Sequence, residues 1–129
     1  MEVRVQEDYG LKEFVRQVAG DIAHRCTYCY EHRLEGTAPY AAEHGFSAFT
    51  STLLASVYQN HDLIAAAAER FAKQYGVAFL YLDFRPNFRA GNQRARELGF
   101  YMQKYCGCVF SEQDRYQKQI DRDRAKFAE

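Results

Sequence analysis

Hydrophobic and polar positions alternate along the chain in a pattern that predicts strands separated by helices. Val3 and Val5 alternate with charged residues, as in a short strand, and the apolar runs 46–50 and 77–82 predict two more strands. Helices are predicted over 11–19, 26–44, 61–75, near 92–98 and over 111–129, the first and third from apolar residues at helical spacing. Strands that alternate with helices are typical of an α/β domain with a mostly parallel sheet. Three strands are few for that class, so we expect an α/β fold that lacks its first strand–helix units.

Local signals refine the bounds of these helices. Asn60 is expected to cap the third helix, and Gly76 to end it. The second helix contains Gly36 and Pro39, and proline removes an N–H and clashes with the carbonyl four residues earlier. We therefore predict an interruption between Leu34 and Tyr40, with Thr37 capping a fresh start. The last helix is predicted to begin with the capping-box-like residues 111–114 and to continue through residue 129.

Length and charge limit the class of protein. The 129 residues suffice for one α/β domain, residues 1–129, with a hydrophobic core. The 17 basic residues balance the 17 acidic ones, so no overall field favours DNA, a membrane or an acidic partner. The chain has no apolar run near the ~20 residues that span a membrane, and its first ten residues do not resemble a targeting peptide. We expect a cytoplasmic protein whose thiols stay reduced.

Two cysteine pairs are the most informative feature of the sequence. Cys26 and Cys29 stand three residues apart at a predicted helix start, where both sulfurs share one side and lie near backbone N–H groups that favour thiolates. Such a pair can bind a metal or a cluster iron. Two buried, inert cysteines remain an alternative, as does a thioredoxin-like dithiol, although no apolar strand directly precedes this pair.

The second pair, Cys106 and Cys108, is separated by Gly107 alone. A glycine with positive φ would tighten the turn and bring the two sulfurs within bonding distance. The resulting small ring would be strained, and strained disulfides are the redox-active ones. A purely structural role is the alternative. Zinc is disfavoured because a zinc ribbon repeats Cys-x-x-Cys after ~15–20 residues, whereas residues 30–105 separate these pairs.

A basic, aromatic stretch lies between the cysteine pairs. Residues 84–105 contain five basic residues and one acidic residue, interleaved with phenylalanines and tyrosines. Guanidinium groups neutralise phosphates and aromatic rings stack on unpaired bases, so this mixture suits single-stranded RNA. A solvated helix face with ordinary core aromatics would have the same composition. Asp83, at the end of the strongest strand, occupies either a functional position or a capping position.

The motifs "CTYCYEHRL", "YGVAFLYLDFR" and "LGFYMQKYCGCVFS", in this order, resemble those of QueH-type epoxyqueuosine reductases. The resemblance covers about residues 2 to 118. It implies a Rossmann-like fold of the adenine-nucleotide α-hydrolase type and reduction of epoxyqueuosine to queuosine at the wobble position of tRNA. It further implies that Cys26 and Cys29 bind an iron–sulfur cluster, with room for an additional iron ion. Cys106 and Cys108 would form the redox-active pair.

The resemblance also implies a first strand–helix unit with a Cys-Cys pair, which this sequence lacks. A [4Fe–4S] cluster takes four thiolates, so four cysteines cannot both complete a cluster and leave a free dithiol. Either the other ligands come from an N-terminal segment or an oligomeric partner, or the site is degenerate; the electron donor is unknown. Arg85, Tyr101 and Lys104 are predicted to contact the anticodon loop. The alternatives are a zinc- or RNA-binding module without catalysis and a small thiol oxidoreductase.

The family mechanism makes one geometric demand on this chain. Cluster ligands and a substrate dithiol must share a pocket, since electron and proton transfer to a bound base needs near contact. Pockets of α/β proteins lie at the carboxyl ends of parallel strands. We therefore expect both cysteine pairs at one edge of the sheet.

Overall fold

A computed structural model describes residues 1–128, which form two compact units, Met1–Pro86 and a second that begins at Asn87. The first unit contains helices and strands in the order α1 (Leu11–Val18), α2 (Arg25–Glu43), β1 (Ala48–Phe49), α3 (His61–Tyr75) and β2 (Ala78–Phe79). The second contains α4 (Phe88–Glu97) and α5 (Val109–Phe127). That the two units form the single domain expected from the sequence remains a prediction.

The sheet of the first unit is small and parallel. β1 pairs with β2 in a register that places Ala48 beside Ala78 and Phe49 beside Phe79. Because α3 connects the two strands, β1, α3 and β2 form a βαβ unit. Apolar side chains of α2, α3 and the strands make the core: Tyr30, Leu34, Ala38, Ala41, Phe49, Leu54, Ile64, Ala67, Ala68, Phe71, Ala72 and Val77. The described chain is therefore mostly helical, with a limited α/β part.

The strands predicted at 46–50 and 77–82 are confirmed in position, but they are shorter than predicted. Each of the runs 46–50 and 77–82 contains a strand, but only two residues of each pair with the other. The prediction of a strand at Val3 and Val5 is wrong: both are exposed, and residues 1–10 contain neither helix nor strand. An alternating pattern becomes a strand only when a neighbouring backbone pairs with it. The helix predicted near 92–98 is α4, which begins earlier, at Phe88.

The predicted interruption of the second helix is also wrong. α2 runs without a break from Arg25 to Glu43, with Pro39 inside it. Proline in a helix interior costs about 3 kcal/mol or more, but the same turns bury Leu34, Ala38 and Ala41 in the core. Packing therefore keeps this segment helical. Thr37 caps no new helix, because its hydroxyl donates to the carbonyl of Arg33 at 2.8 Å.

The ends of α3 agree with the sequence, whereas the start of α5 does not. The side chain of Asn60 accepts a hydrogen bond from the amide of Leu63 at 3.1 Å, and Gly76 ends the helix with φ +67°. α5 begins at Val109, so the capping box predicted at Ser111 is wrong. Ser111 lies in the first turn and donates its hydroxyl to the carbonyl of Cys108. The final predicted residue of this helix, Glu129, lies outside the described residues.

Candidate functional site

The first candidate site lies where β1 and β2 end, which we call the carboxyl edge. α2 leads into the start of β1, and α3 returns the chain from the end of β1 to the start of β2. Both helices therefore begin on the side of the carboxyl edge. Tyr30 links the start of α2 to the start of α3: its hydroxyl donates to Gln59 Oε1 at 2.7 Å and accepts from the amide of Asn60 at 3.1 Å.

Cys26 and Cys29 occupy the first two turns of α2, as predicted. Cys26 is exposed and Cys29 is half-buried, and neither forms a disulfide. Within residues 1–128, no three His, Cys, Asp or Glu side chains are grouped so that they could hold a metal ion. The described residues thus do not fit a complete four-ligand cluster. Nearby His24 is exposed and interacts with the carboxylate of Asp21 at 2.8 Å.

A buried histidine follows on the same edge, and sequence reasoning missed it. His61 is 5% exposed at the first position of α3. Its Nε2 donates to the carbonyl of Ser56 at 3.1 Å, so in the neutral ring Nδ1 accepts from the hydroxyl of Tyr81, also at 3.1 Å. The sequence does contain a signal for its burial, because His61 lies one turn before Ile64 on the apolar face of α3.

Asp83 and Arg85 form the outer part of this cluster. Asp83 accepts from the Arg85 backbone amide at 3.0 Å and from Nε and Nη2 at 2.9 and 2.8 Å. These bonds lower the pKa of the Asp83 carboxyl from 3.8 to about 2, and the side-chain bonds from Arg85 have the largest effect. One oxygen of Asp83 also lies 4.0 Å from His61 Nδ1. Asp83 therefore caps the turn at Arg85 and carries a negative charge at neutral pH, while two Arg85 nitrogens are engaged in holding it.

Asp83 should leave a signature in the acid stability of the protein. A folded-state pKa below the ordinary value stabilises the fold above about pH 4, and this contribution disappears as the pH falls from about 4 to about 2. We expect Asp83→Asn to lower the free energy of unfolding at pH 7. The difference from the wild type should vanish as the pH falls through this interval. Arg85→Lys keeps the positive charge but loses the two-pronged contact, so its difference in unfolding free energy from the wild type should change less over this pH interval. Urea unfolding across this range checks it, and a difference independent of pH would contradict it.

The second cysteine pair lies in the other unit, at the start of α5. Gly107 has φ +94°, as predicted for a tight turn that only glycine adopts without strain. Ser111 Oγ lies 3.1 Å from Cys106 Sγ and 2.9 Å from the carbonyl of Cys108. Since the serine hydrogen points to that carbonyl, the Cys106 thiol donates to Ser111. The two cysteines are thiols, not a disulfide, in a turn where both are at least partly accessible.

The predicted RNA contacts divide between the units. Tyr101 is 82% exposed, and Lys104 is exposed in the same irregular segment before α5. Arg85 belongs to the first unit and is paired with Asp83. A neighbouring carboxylate, Glu112, raises the pKa of the Tyr105 hydroxyl.

The shared pocket of the two cysteine pairs remains a prediction, because the pairs belong to different units. In the described part of the chain, no helix has the length and apolar character of a membrane span.

Known proteins resemble this chain closely. Residues 1–114 match the family described as "Epoxyqueuosine reductase QueH". The reductase of that name from Dehalococcoides mccartyi is 38% identical over 117 residues, which are 91% of this chain and 64% of the relative. Its counterpart from Thermotoga maritima is 37% identical, over 83% of this chain and 57% of the relative. The reductase from Haemophilus influenzae is 39% identical, over 70% of this chain and 38% of the relative. The chain thus spans less than two thirds of the length of these relatives.

Proposed function

Because the chain belongs to the epoxyqueuosine reductase QueH family, we propose that it takes part in reducing epoxyqueuosine to queuosine in tRNA. The observation that carries this proposal is the match over residues 1–114, which includes both cysteine pairs. The relatives are oxidoreductases by name. The substrate is then a modified base in the anticodon loop.

Cys106 and Cys108 are proposed as the source of electrons. Removing the epoxide oxygen as water takes two electrons and two protons. Oxidation of the dithiol to a disulfide supplies both, so the two thiols and the epoxide give a disulfide, an alkene and water. Support comes from the accessible thiols and from the positive φ of Gly107, which lets the turn tighten. The disulfide must then be reduced again by an external electron donor.

Cys26 and Cys29 are proposed as two ligands of a [4Fe–4S] cluster. In support, α2, which carries both cysteines in its first two turns, begins on the side of the carboxyl edge, where α/β proteins bind their ligands. The cluster needs four ligands, so we propose that the others come from a further polypeptide segment, in cis or from a partner chain. The shorter length of this chain than of its relatives supports that view. We propose also that β1 and β2 belong to a larger Rossmann-like sheet, consistent with the exposed apolar side chains of Leu80 and Leu82 beside them.

The tRNA contacts proposed are Arg85, Tyr101 and Lys104. Tyr101 offers an exposed ring for stacking on an unpaired base, and Lys104 offers a charge for a phosphate. Arg85 keeps its charge while fixed by Asp83, so it presents a guanidinium of defined orientation.

The proposed function is tested by supplying the segment that this chain does not span. The purified chain is mixed under anaerobic conditions with the remaining part of the Dehalococcoides mccartyi relative, iron, sulfide, a chemical reductant and tRNA containing epoxyqueuosine. Mass spectrometry of the digested nucleosides should show a product lighter by one oxygen atom. Bound zinc in place of iron, with tRNA binding but no product, would instead support a zinc- or RNA-binding module.

A further inference from the structure

The cluster of His61, Tyr81 and Asp83 has a geometry that core packing alone does not require. An imidazole buried in an apolar core is costly unless its nitrogens are paired. Both nitrogens of His61 are paired, one with a main-chain carbonyl and one with a phenol. The ring is therefore fixed in position and in tautomer.

Tyr81 joins this buried anchor to the surface. Its hydroxyl is held by His61, its ring packs edge-on near His61 and Phe79, and yet the residue is 42% exposed. It follows β2 by two residues, at the carboxyl edge. The phenol thus has a defined orientation beside solvent, on the side of the sheet from which α2 and its cysteines begin.

Tyr81 is also the member of the cluster best able to give a proton to a substrate. Asp83 has lost its proton at neutral pH because Arg85 holds its carboxyl ionised. The hydrogen of His61 is directed to the carbonyl of Ser56. The Tyr81 hydroxyl can turn from Nδ1 towards a ligand, and a phenol is a much stronger acid than an aliphatic alcohol.

We propose that Tyr81 is a further catalytic residue, which donates its phenolic proton to a substrate oxygen, and that His61 is the residue that positions it. This inference rests on the proposed function. In the first step a cysteine thiolate attacks an epoxide carbon, so that a C–S bond forms and a C–O bond breaks, while the Tyr81 O–H bond breaks and an O–H bond forms on the released oxygen. The phenolate then takes a proton from solvent water and returns to its hydrogen bond with His61. The second cysteine then attacks the carbon-bound sulfur: an S–S bond forms, the C–S bond breaks, its electron pair forms the alkene, and the hydroxyl leaves as water with the proton of the second thiol.

The test is a comparison of Tyr81→Phe with Tyr40→Phe in the reconstituted reaction. Tyr40 is 40% exposed, in the same unit, but stacks on His44 at the far end of α2. Loss of a general acid lowers kcat by roughly 100-fold or more, so we expect that drop for Tyr81→Phe, an unchanged KM for tRNA and an unchanged Tyr40→Phe enzyme. Small phenols or other buffer acids should partly restore Tyr81→Phe.

His61 variants separate positioning from folding. His61→Asn can still accept from Tyr81 and should retain more of kcat than His61→Leu, with thermal unfolding measured for both. An unchanged kcat for Tyr81→Phe, or a drop that buffer acids do not reverse, would overturn the inference while leaving the proposed function intact. A wild-type reaction without any product would overturn the proposed function, and this inference with it.

Discussion

Replacing Cys106 or Cys108 by serine should abolish reduction of epoxyqueuosine. If the dithiol is the reductant, either change removes one of the two sulfurs that close to a disulfide, so the two-electron donor is lost and product should fall to the level of the uncatalysed reaction. The two residues are exposed and half-buried, in a turn outside the hydrophobic core. We therefore expect thermal unfolding to change little. Nucleoside mass spectrometry measures the product, and the melting curve of each variant checks the fold.

Ser111→Ala provides the matched control for these two variants. It removes the oxygen that contacts Cys106 Sγ at 3.1 Å but leaves both sulfurs in place. We expect a lower rate and retained turnover. A Cys106→Ser enzyme that completes many turnovers would show that Cys106 and Cys108 are not the reductant.

The second large effect concerns the cluster. On its own, the 129-residue chain should bind less than a full complement of iron and sulfide and should show little or no epoxyqueuosine reduction. Cys26 and Cys29 offer two thiolates, and no third or fourth ligand is grouped with them in residues 1–128. Adding the segment of a longer relative that this chain does not span should restore both cluster content and turnover. Iron and sulfide analysis after anaerobic reconstitution measures the first, and nucleoside analysis the second.

A suitable control is the same addition to a chain carrying Cys26→Ser and Cys29→Ser. If these cysteines are ligands, the added segment should then restore neither the cluster nor the activity. Full turnover by the unsupplemented chain with a reconstituted cluster would contradict the prediction. Such a chain would have to build its site from all four cysteines and draw electrons from elsewhere.

The elements with strong local signals could be predicted from the sequence. α3 has an asparagine whose side chain accepts from the first turn and a glycine in the left-handed conformation at its end, so both bounds follow from short-range chemistry. The tight turn at Gly107 follows in the same way. The two apolar runs gave the positions of β1 and β2 because a parallel strand is apolar on both faces.

Where tertiary packing decides, the sequence was a poor guide. Pro39 breaks an isolated helix, but burial of Leu34 and Ala38 keeps α2 continuous. Val3 and Val5 have the pattern of a strand but no neighbouring strand to pair with in the described chain. His61 was overlooked because the role of a polar residue on an apolar helix face depends on its partners, and Tyr81 reaches it only through the fold, from beyond α3 and β2.

The central claim is that the Cys106–Cys108 dithiol reduces epoxyqueuosine, and a single-turnover experiment tests it most directly. The chain is mixed with the segment of a longer relative that it does not span, and both are fully reduced. External reductant is then removed, and excess tRNA containing epoxyqueuosine is added. Queuosine is counted by nucleoside mass spectrometry, and the Cys106–Cys108 disulfide by peptide mass spectrometry of the quenched protein. We predict about one queuosine and one disulfide per chain, formed at the same rate. Queuosine formed while both cysteines remain thiols would contradict the account.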